Sequence, residues 1–360
     1  MGRITYFIFK AKKEMPAKTA KAKLRRCFMN IKKRPLVKLL LVVTLFIFTL
    51  VLAACVDTQE SNSDSVDLPR TPILEEQDKT QATVYYTTSD QKWLLPLTLP
   101  IQATREVAKV AMERLLAGPP NDWASSVIPA DVKLLDLYSS GEYVYVNLTE
   151  PFASISTENA PLAVESIAAT ILPLVQGYSL KIMVNNNTLT QIGDYVLPEE
   201  ITWSAPNIVD KEAQGVNLTI YFSDANAMYL VPQSYTIPAE EVPDEDFATM
   251  LTERALQLLL AGPDAESGLQ PTLWPGTQLL DCSVSNGLAT VNFSGDIIQY
   301  GGGHAAESML VDSILYTVTA VPGVSEVQIL IDGEKVEFLP EGTEISTPLQ
   351  PTNGLNLVLD

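Results

Sequence analysis

The stretch Leu259-Leu260-Ala261-Gly262-Pro263 decides how this 360-residue sequence is organised, because it has already occurred once as Leu115-Leu116-Ala117-Gly118-Pro119. Glycine suits the left-handed residue that follows a helix, and proline cannot continue one. Each copy therefore predicts the end of a helix rather than a binding loop. We expect helices over residues 104–117 and 247–261, the second capped by Asp244-Glu245-Asp246.

Further motifs recur in the same order, at an offset that drifts slowly along the chain. The pairs are Thr83-Val84-Tyr85-Tyr86 with Thr219-Ile220-Tyr221-Phe222, Leu94-Leu95-Pro96 with Leu230-Val231-Pro232, Leu134-Leu135-Asp136 with Leu279-Leu280-Asp281, and Val146-Asn147-Leu148 with Val291-Asn292-Phe293. Small loop insertions would cause such a drift. The sequence therefore predicts an internal duplication.

Each copy shows the pattern of a small α+β unit. After the first helix come two alternating strands, and Asn286-Gly287 between them in the second copy is a strong hairpin signal. A second helix and a last strand follow, with a turn at Asp332-Gly333. We predict two tandem β-α-β-β-α-β units, each with two helices packed on one face of a mixed sheet. The apolar insert over residues 93–101 favours a hairpin packed on that sheet over a partner-binding edge.

The amino-terminal region has the three parts of a secretory signal. Lys and Arg residues precede an apolar run over residues 39–51, which closes with Leu52-Ala53-Ala54-Cys55. This tetrad resembles the bacterial lipobox, so we expect signal peptidase to recognise Leu52, Ala53 and Ala54 and a lipid to be attached to Cys55. The alternative is an uncleaved membrane anchor over residues 36–54. Either Met1 or Met29 could be the start of translation.

The ordered motifs resemble the GerM family of sporulation and germination lipoproteins, whose soluble part is built from GerMN domains. The likeness rests on the Tyr-rich first strand, the helix ending in Leu-Leu-Ala-Gly-Pro and the Val-Asn-Leu or Val-Asn-Phe strand. In the second copy it extends to Gly301-Gly302-Gly303 and to Asp332-Gly333. The first copy departs from the pattern, because residues 154–159 replace the glycine run and Asn185-Asn186-Asn187 replaces Asp-Gly.

The resemblance implies a non-enzymatic, membrane-tethered protein of spore formation or germination. Such domains also look like the ring-building folds of secretion systems, which implies assembly with other envelope proteins. The expected organisation has six parts. They are a signal peptide (1–54), a flexible acidic tether (55–80), a first GerMN-like domain (81–198), a linker (199–216), a second GerMN-like domain (217–342) and a tail (343–360).

Charge excludes one class of partner. The whole chain has a net charge of −19, but residues 1–54 contain 13 of its 24 Lys and Arg residues and one acid, Glu14. The remaining 11 basic and 42 acidic residues give the rest of the chain a net charge of −31. A field of that sign repels nucleic acid, so we expect no nucleic-acid partner.

Candidate chemical groups are few. His304 follows Gly301-Gly302-Gly303 and precedes Ser308, but no Gly-x-Ser-x-Gly elbow occurs in the sequence, and we expect no catalytic residues. The acidic run over residues 240–246 lacks the spacing of a calcium loop, so we expect no metal site. Cys282 lies in an apolar run and is interpreted as a small buried hydrophobe. No cofactor is expected, and the three glycines are the candidate partner-binding loop.

Two functions remain open from the sequence. The first is a lipid-anchored scaffold on the outer face of the cytoplasmic membrane that binds other envelope or sporulation proteins, with a homo-oligomer as a further candidate. In a spore former this location includes the space between the mother-cell and forespore membranes. The second is an anchored solute-binding lipoprotein that presents a small ligand to a transporter or receptor. The duplication favours the first, because each unit is small and its hairpins indicate antiparallel pairing.

Overall fold

Two copies of one strand-and-helix pattern follow each other along the chain in the computed structural model, which describes residues 69–242, 246–299, 301–351 and 354–358. All of these residues belong to one compact unit, Leu68–Asp360. The predicted signal peptide and most of the tether lie outside the described residues.

The first repeat opens with an antiparallel hairpin and continues with two helices and a second sheet. Its elements are β1 (Lys79–Thr88), β2 (Leu94–Thr104), α1 (Val107–Ala117), β3 (Ala124–Ser125), β4 (Leu134–Ser140), β5 (Tyr143–Leu148), α2 (Ala160–Ile171), β6 (Ser179–Val184), β7 (Asn187–Thr188), β8 (Gln191–Ile192) and β9 (Tyr195–Val196). One sheet has the order β2-β1-β3 and another β4-β5-β6-β7, in which β5 and β6 run parallel.

The second repeat has the same order without the short strands. Its elements are β10 (Gly215–Ser223), β11 (Leu230–Pro238), α3 (Phe247–Ala261), β12 (Leu279–Ser285), β13 (Leu288–Phe293), α4 (Gly303–Thr319) and β14 (Glu326–Ile331). The hairpin β10-β11 is again separate from the mixed sheet β12-β13-β14, in which β13 and β14 run parallel.

The predicted α+β class, the duplication and the mixed sheets are confirmed. The order differs in one respect, since each repeat opens with two strands rather than one and reads β-β-α-β-β-α-β. The additional strand of the first repeat is the apolar insert, which forms the predicted hairpin with β1. Its residues Leu94, Leu95, Leu97 and Leu99 are all buried, so the strand lacks the alternation that marks a half-exposed strand in a sequence.

The repeated Leu-Leu-Ala-Gly-Pro motif ends both helices as predicted. Gly118 and Gly262 have φ angles of 85° and 78°, a range that residues with a Cβ rarely adopt. The helix α3 starts at Phe247 as predicted, but the predicted capping role is wrong for Asp246, whose side chain makes no capping hydrogen bond. Its backbone has a φ of 56°, whereas a capping side chain requires an extended N-cap residue.

The asparagine of the shared Val-Asn-Leu or Val-Asn-Phe motif also has a structural role. In the first repeat Asn147 Oδ1 accepts a hydrogen bond from the Asn186 N–H (3.0 Å), and in the second Asn292 Oδ1 accepts one from the Gly333 N–H (2.8 Å). The first bond holds the turn after β6 against β5, and the second holds the turn after β14 against β13. Asn185-Asn186 therefore forms the same positive-φ turn as Asp332-Gly333, because asparagine tolerates that conformation.

The two repeats meet along the free edges of β2 and β11. Leu94, Pro96 and Thr98 direct backbone groups away from β1, and Leu230, Pro232 and Ser234 do the same away from β10. Buried peptide groups need partners, and proline removes one donor from each edge. The remaining groups are bonded by two asparagines and by the chain that follows each of them.

Asn207, which follows the first repeat, bonds to both edges. Its side-chain amide donates to the carbonyls of Leu94 (2.8 Å) and Pro232 (2.7 Å), and its Oδ1 accepts from the Leu94 N–H (2.8 Å). The next residues then pair with the second repeat, where the Val209 N–H donates to the Ser234 carbonyl (2.9 Å). The segment after the first repeat thus pairs with β11 through a single parallel bridge, Ile208 with Ser234.

Asn356, near the carboxyl terminus, makes the equivalent set of hydrogen bonds with the two strands exchanged. Its amide donates to the carbonyls of Leu230 (2.7 Å) and Pro96 (2.8 Å), and its Oδ1 accepts from the Leu230 N–H (2.8 Å). The Val358 N–H then donates to the Thr98 carbonyl (2.9 Å) on β2. Each repeat therefore has a tail bonded to the hairpin of the other, and we call Asn207 and Asn356 the asparagine clasp.

Replacing Asn207 with glycine should destabilise the protein by about 2–4 kcal/mol, because three hydrogen bonds are lost and buried backbone groups remain unpaired. Glycine accepts the φ of 53° at this position, so backbone strain does not contribute. The matched control is Asn286→Gly in the exposed turn of β12-β13, also with a φ of 53°, for which a change within about 0.5 kcal/mol is expected. Urea unfolding measures both, and equal effects would contradict the clasp.

Candidate functional site

The lipidation signal could not be compared with the structure. Leu52, Ala53, Ala54 and Cys55 lie outside the described residues, so their roles stay predictions. Within the part of the chain that the structure describes, none of the helices combines the length and the hydrophobicity needed to cross a membrane.

The glycine loop leads directly into α4. Gly302 and Gly303 have φ angles of 119° and 70°, and a Cβ on Gly302 would lie 2.9 Å from the Cβ of Ala306. Gly301 has no positive φ, and a Cβ there would meet nothing within 4 Å. Two of the three glycines are therefore explained by the backbone conformation alone, and the structure leaves the predicted partner-binding role of the loop untested.

His304 and Ser308 come together because they are one helical turn apart in α4. Ser308 Oγ lies 3.4 Å from His304 Nε2, at an exposed position. A hydrolase needs a carboxylate that orients the histidine. Two carboxylates follow in α4: Asp312 is two turns from His304, and the buried Glu307 accepts hydrogen bonds from the Glu341 and Thr343 N–H groups (2.7 Å each). This arrangement does not make a catalytic triad, and the described residues contain no cluster of three or more potential metal ligands.

Cys282 is a partly buried thiol on β12. Burial, together with the smaller effects of the nearby carboxylates of Glu253, Asp281 and Asp246, raises its pKa to about 12. The thiolate, which is the nucleophilic form, is therefore scarce at neutral pH. This agrees with the interpretation of Cys282 as a small apolar residue.

The edge strand of the first mixed sheet carries a more specific arrangement. Thr71 pairs antiparallel with Ser139 on β4, and each N–H donates to the other's carbonyl at 2.9 Å. Arg70 Nη1 lies 2.8 Å from Asp136 Oδ2, and its guanidinium carbon lies 4.7 Å from the centre of the Tyr138 ring. We call residues 69–71 the strap. Sequence patterns gave no sign of it, since a single bridge has no periodicity.

A cavity of about 300 Å³ lies between α2 and residues 198–211. Its polar lining includes Lys211 and Glu165, which form an ion pair at 2.5 Å, together with Tyr195. Ligand pockets start at about 300 Å³, so this cavity is at the lower end of the range. Lys211 and Glu165 are already paired with each other, and the third charged residue of the lining, Glu200, accepts a hydrogen bond from the Tyr143 hydroxyl (2.6 Å).

The clasp was missed by the sequence analysis although a signal exists. Asn207-Ile208-Val209 and Asn356-Leu357-Val358 are a further repeated motif, one after each copy. It lies beyond the predicted domain boundaries, in the segments interpreted as a linker and a tail. Three residues that recur once, at a different spacing from the other repeated motifs, are a weak pattern. Their role becomes visible only when the strand edges of β2 and β11 are known.

Comparison with known proteins identifies the family. Residues 83–190 and 219–337 match the family described as Germane: Sporulation and spore germination. The chain belongs to this family. The spore germination protein GerM of Bacillus subtilis (strain 168) is 23% identical over 320 residues, which cover 83% of this chain and 82% of that protein.

A solved structure confirms the tandem architecture. The tandem GerMN domains of the sporulation protein GerM from Bacillus subtilis match with a TM-score of 0.60 and 20% identity, covering 77% of this chain and 98% of that one. A putative lipoprotein from Clostridium perfringens matches with a TM-score of 0.28 and 24% identity, covering 38% of this chain and 87% of that one. The predicted resemblance is confirmed, and family membership supports a role in sporulation or spore germination.

Gly302→Ala should destabilise the protein by about 1–2 kcal/mol, because alanine is strained at a φ of 119° and its Cβ would collide with Ala306. Gly301→Ala is the matched control in the same loop, and it should change stability by less than about 0.5 kcal/mol. Thermal unfolding of the two variants compares them. Equal stability would mean that the loop does not hold this conformation.

Cys282 should react with iodoacetamide at pH 8 at least about 100-fold more slowly in the folded protein than in urea, because its raised pKa leaves little thiolate. A chain that starts after Cys55 contains no other cysteine, so mass spectrometry of the alkylated product reads this thiol alone. Similar rates in the two states would show that the thiol is accessible and ionised.

Proposed function

We propose that this protein is a lipid-anchored, non-enzymatic scaffold of sporulation or spore germination. It is held by a lipid on Cys55 at the outer face of the cytoplasmic membrane and binds other envelope or sporulation proteins. In a spore former this location includes the space between the mother-cell and forespore membranes. Family membership supports the process, and the lipobox-like tetrad supports the anchor.

The observation that carries the scaffold proposal is the asparagine clasp. Reciprocal bonding of the tails joins two small repeats into one body, as a component that positions partners requires. Within the described part of the chain, the bond recorded for the His304 ring is the one to Ser308, so the geometry at this position gives no support for an enzyme. The partners we expect are proteins, with the loop of Gly301, Gly302 and Gly303 as one candidate contact and a second copy of this chain as another.

Charge narrows the class of partner. The chain beyond residue 54 has a net charge of −31, which favours association with basic protein surfaces and opposes nucleic acid and anionic lipid headgroups. The protein therefore requires its lipid, rather than surface charge, to stay at the membrane. The solute-binding alternative is the second candidate. In the cavity beside α2, Lys211 is already paired with Glu165, and a larger cleft of about 650 Å³ lies between β1 and residues 169–176.

Crosslinking in sporulating cells tests the proposal. The wild-type chain and Cys55→Ala are each crosslinked, purified and analysed by mass spectrometry. We expect defined envelope or sporulation proteins with the wild type and their loss with Cys55→Ala, because the unlipidated chain leaves the membrane surface. Cys282→Ala is the matched control, since it removes a cysteine without touching the anchor, and it should retain the partners.

Two results would contradict the proposal. Recovery of no specific protein with the wild type would reject the scaffold and redirect the search to small ligands. An identical set of partners with Cys55→Ala would show that the lipid is not what brings the protein to them.

A further inference from the structure

The edge of the first mixed sheet is covered by the protein's own amino-terminal segment. On β4, Ser139 directs its N–H and carbonyl away from β5, and both bond to Thr71 of the strap at 2.9 Å. The Ser139 hydroxyl also donates to the Thr71 carbonyl at 3.3 Å. An edge strand presents such groups to any extended chain, so the strap occupies a position where strand addition is expected.

Two side-chain contacts give the strap its chemical identity. The Arg70 guanidinium bonds to the Asp136 carboxylate and also lies over the face of the Tyr138 ring. Arginine is suited to both contacts at once, because its planar cation pairs with carboxylates and stacks on aromatic rings. The edge therefore recognises an extended segment with a basic residue directly before the residue that pairs with Ser139.

The strap is held at few points. One bridge pair, one hydroxyl hydrogen bond, one ion pair and one cation–π contact attach it, and both charged side chains of the ion pair are substantially exposed, at 55% for Arg70 and 39% for Asp136. Exposed ion pairs are weakened by solvent and salt. Beyond the strap, Ile73 packs against the core, and the Glu75 N–H donates to the Arg105 carbonyl at 2.8 Å. Residues 69–72 can therefore detach while Ile73 stays in place.

The second repeat closes the equivalent edge by another means. There the Val284 N–H, which corresponds to that of Ser139, donates to the side chain of Thr249 at 3.0 Å. Thr249 belongs to the additional first turn of α3, which has 15 residues where α1 has 11. A helix side chain covers this edge as part of the core fold. In the first repeat, by contrast, the edge is covered by the strap, which is a separable extended segment.

We propose that the β4 edge is a strand-addition site for an extended, basic segment of a partner protein, and that the strap is the internal occupant which the partner segment replaces. This inference rests on the proposed scaffold function and names its contact. Replacement extends the sheet by one antiparallel strand and preserves the contacts to Asp136 and Tyr138. It also frees residues 69–72, which lengthens the membrane tether by about 14 Å at full extension.

A peptide with the strap's own sequence, Leu68 to Leu74, is the probe in a binding assay with the full chain. The receptor is the double variant Arg70→Ala/Thr71→Pro, which removes the guanidinium and the N–H that donates to the Ser139 carbonyl. Thr71→Val is the matched control, since it keeps the backbone donor and Arg70. Fluorescence anisotropy of the labelled peptide measures binding, and amide hydrogen exchange at Ser139 reports whether the edge is covered.

The peptide should bind the double variant at least tenfold more tightly than the wild type or Thr71→Val, in which the strap competes. Replacing the arginine of the peptide with alanine should weaken binding about tenfold, because the ion pair and the cation–π contact each contribute a few-fold. Exchange at Ser139 should be faster in the double variant and slow again with peptide bound, while exchange at Val284 stays unchanged.

Two outcomes overturn the proposal. The first is fast exchange at Ser139 without peptide binding, which would show an open edge that accepts no strand. The second is equal protection of Ser139 in the double variant and in Thr71→Val, which would show that the strap is not the cover. Neither result depends on cells, so a failed crosslinking experiment beside successful peptide binding would reject the scaffold role and leave the edge site intact.

Discussion

The buried edges of β2 and β11 impose the constraint on which the rest of this structure depends. Both strands are apolar and covered on their faces, so their outward peptide groups cannot reach water and must be bonded by the protein. Asn207 and Asn356 provide the donors and acceptors that a missing neighbouring strand would otherwise supply. Pro96 and Pro232 have no N–H. At each of these positions the facing asparagine donates an N–H to the proline carbonyl, so the missing donor leaves no group unpaired.

This constraint explains why the two repeats form one body. The tail of each repeat completes the hairpin of the other, so neither hairpin has all its edge bonds without both tails. The exchange is reciprocal, with Leu94, Pro96 and Thr98 on one side matched by Leu230, Pro232 and Ser234 on the other.

The strand edges that remain available also bear on function. The internal edges are used up by the clasp, which leaves the outer edges of the mixed sheets as the places where another chain could pair. These edges differ between the repeats, since Thr249 of α3 bonds to one and the strap bonds to the other. The two repeats therefore present different edges. The negative charge of the chain beyond residue 54 opposes contact with anionic membrane surfaces and complements basic ones.

The sequence by itself determined the local structure. Gly118 and Gly262 end helices because of their positive φ, Asn286-Gly287 forms a tight hairpin, and the order of motifs reveals the duplication. These features depend on residues close together in the chain, so their physical causes are visible in short stretches. The wrong capping prediction for Asp246 also has a local cause. A sequence shows the type of the residue, whereas capping depends on its backbone angle.

Only the tertiary structure decided what the linker, the tail and the strap do. Asn207 bonds to Leu94 and Pro232, and Asn356 bonds to Leu230 and Pro96, across up to 260 residues of sequence. Thr71 likewise pairs with Ser139 through a single bridge. Such contacts have no periodicity and no characteristic composition. They follow from which peptide groups remain unpaired after the strands and helices have packed, and that is a property of the assembled fold.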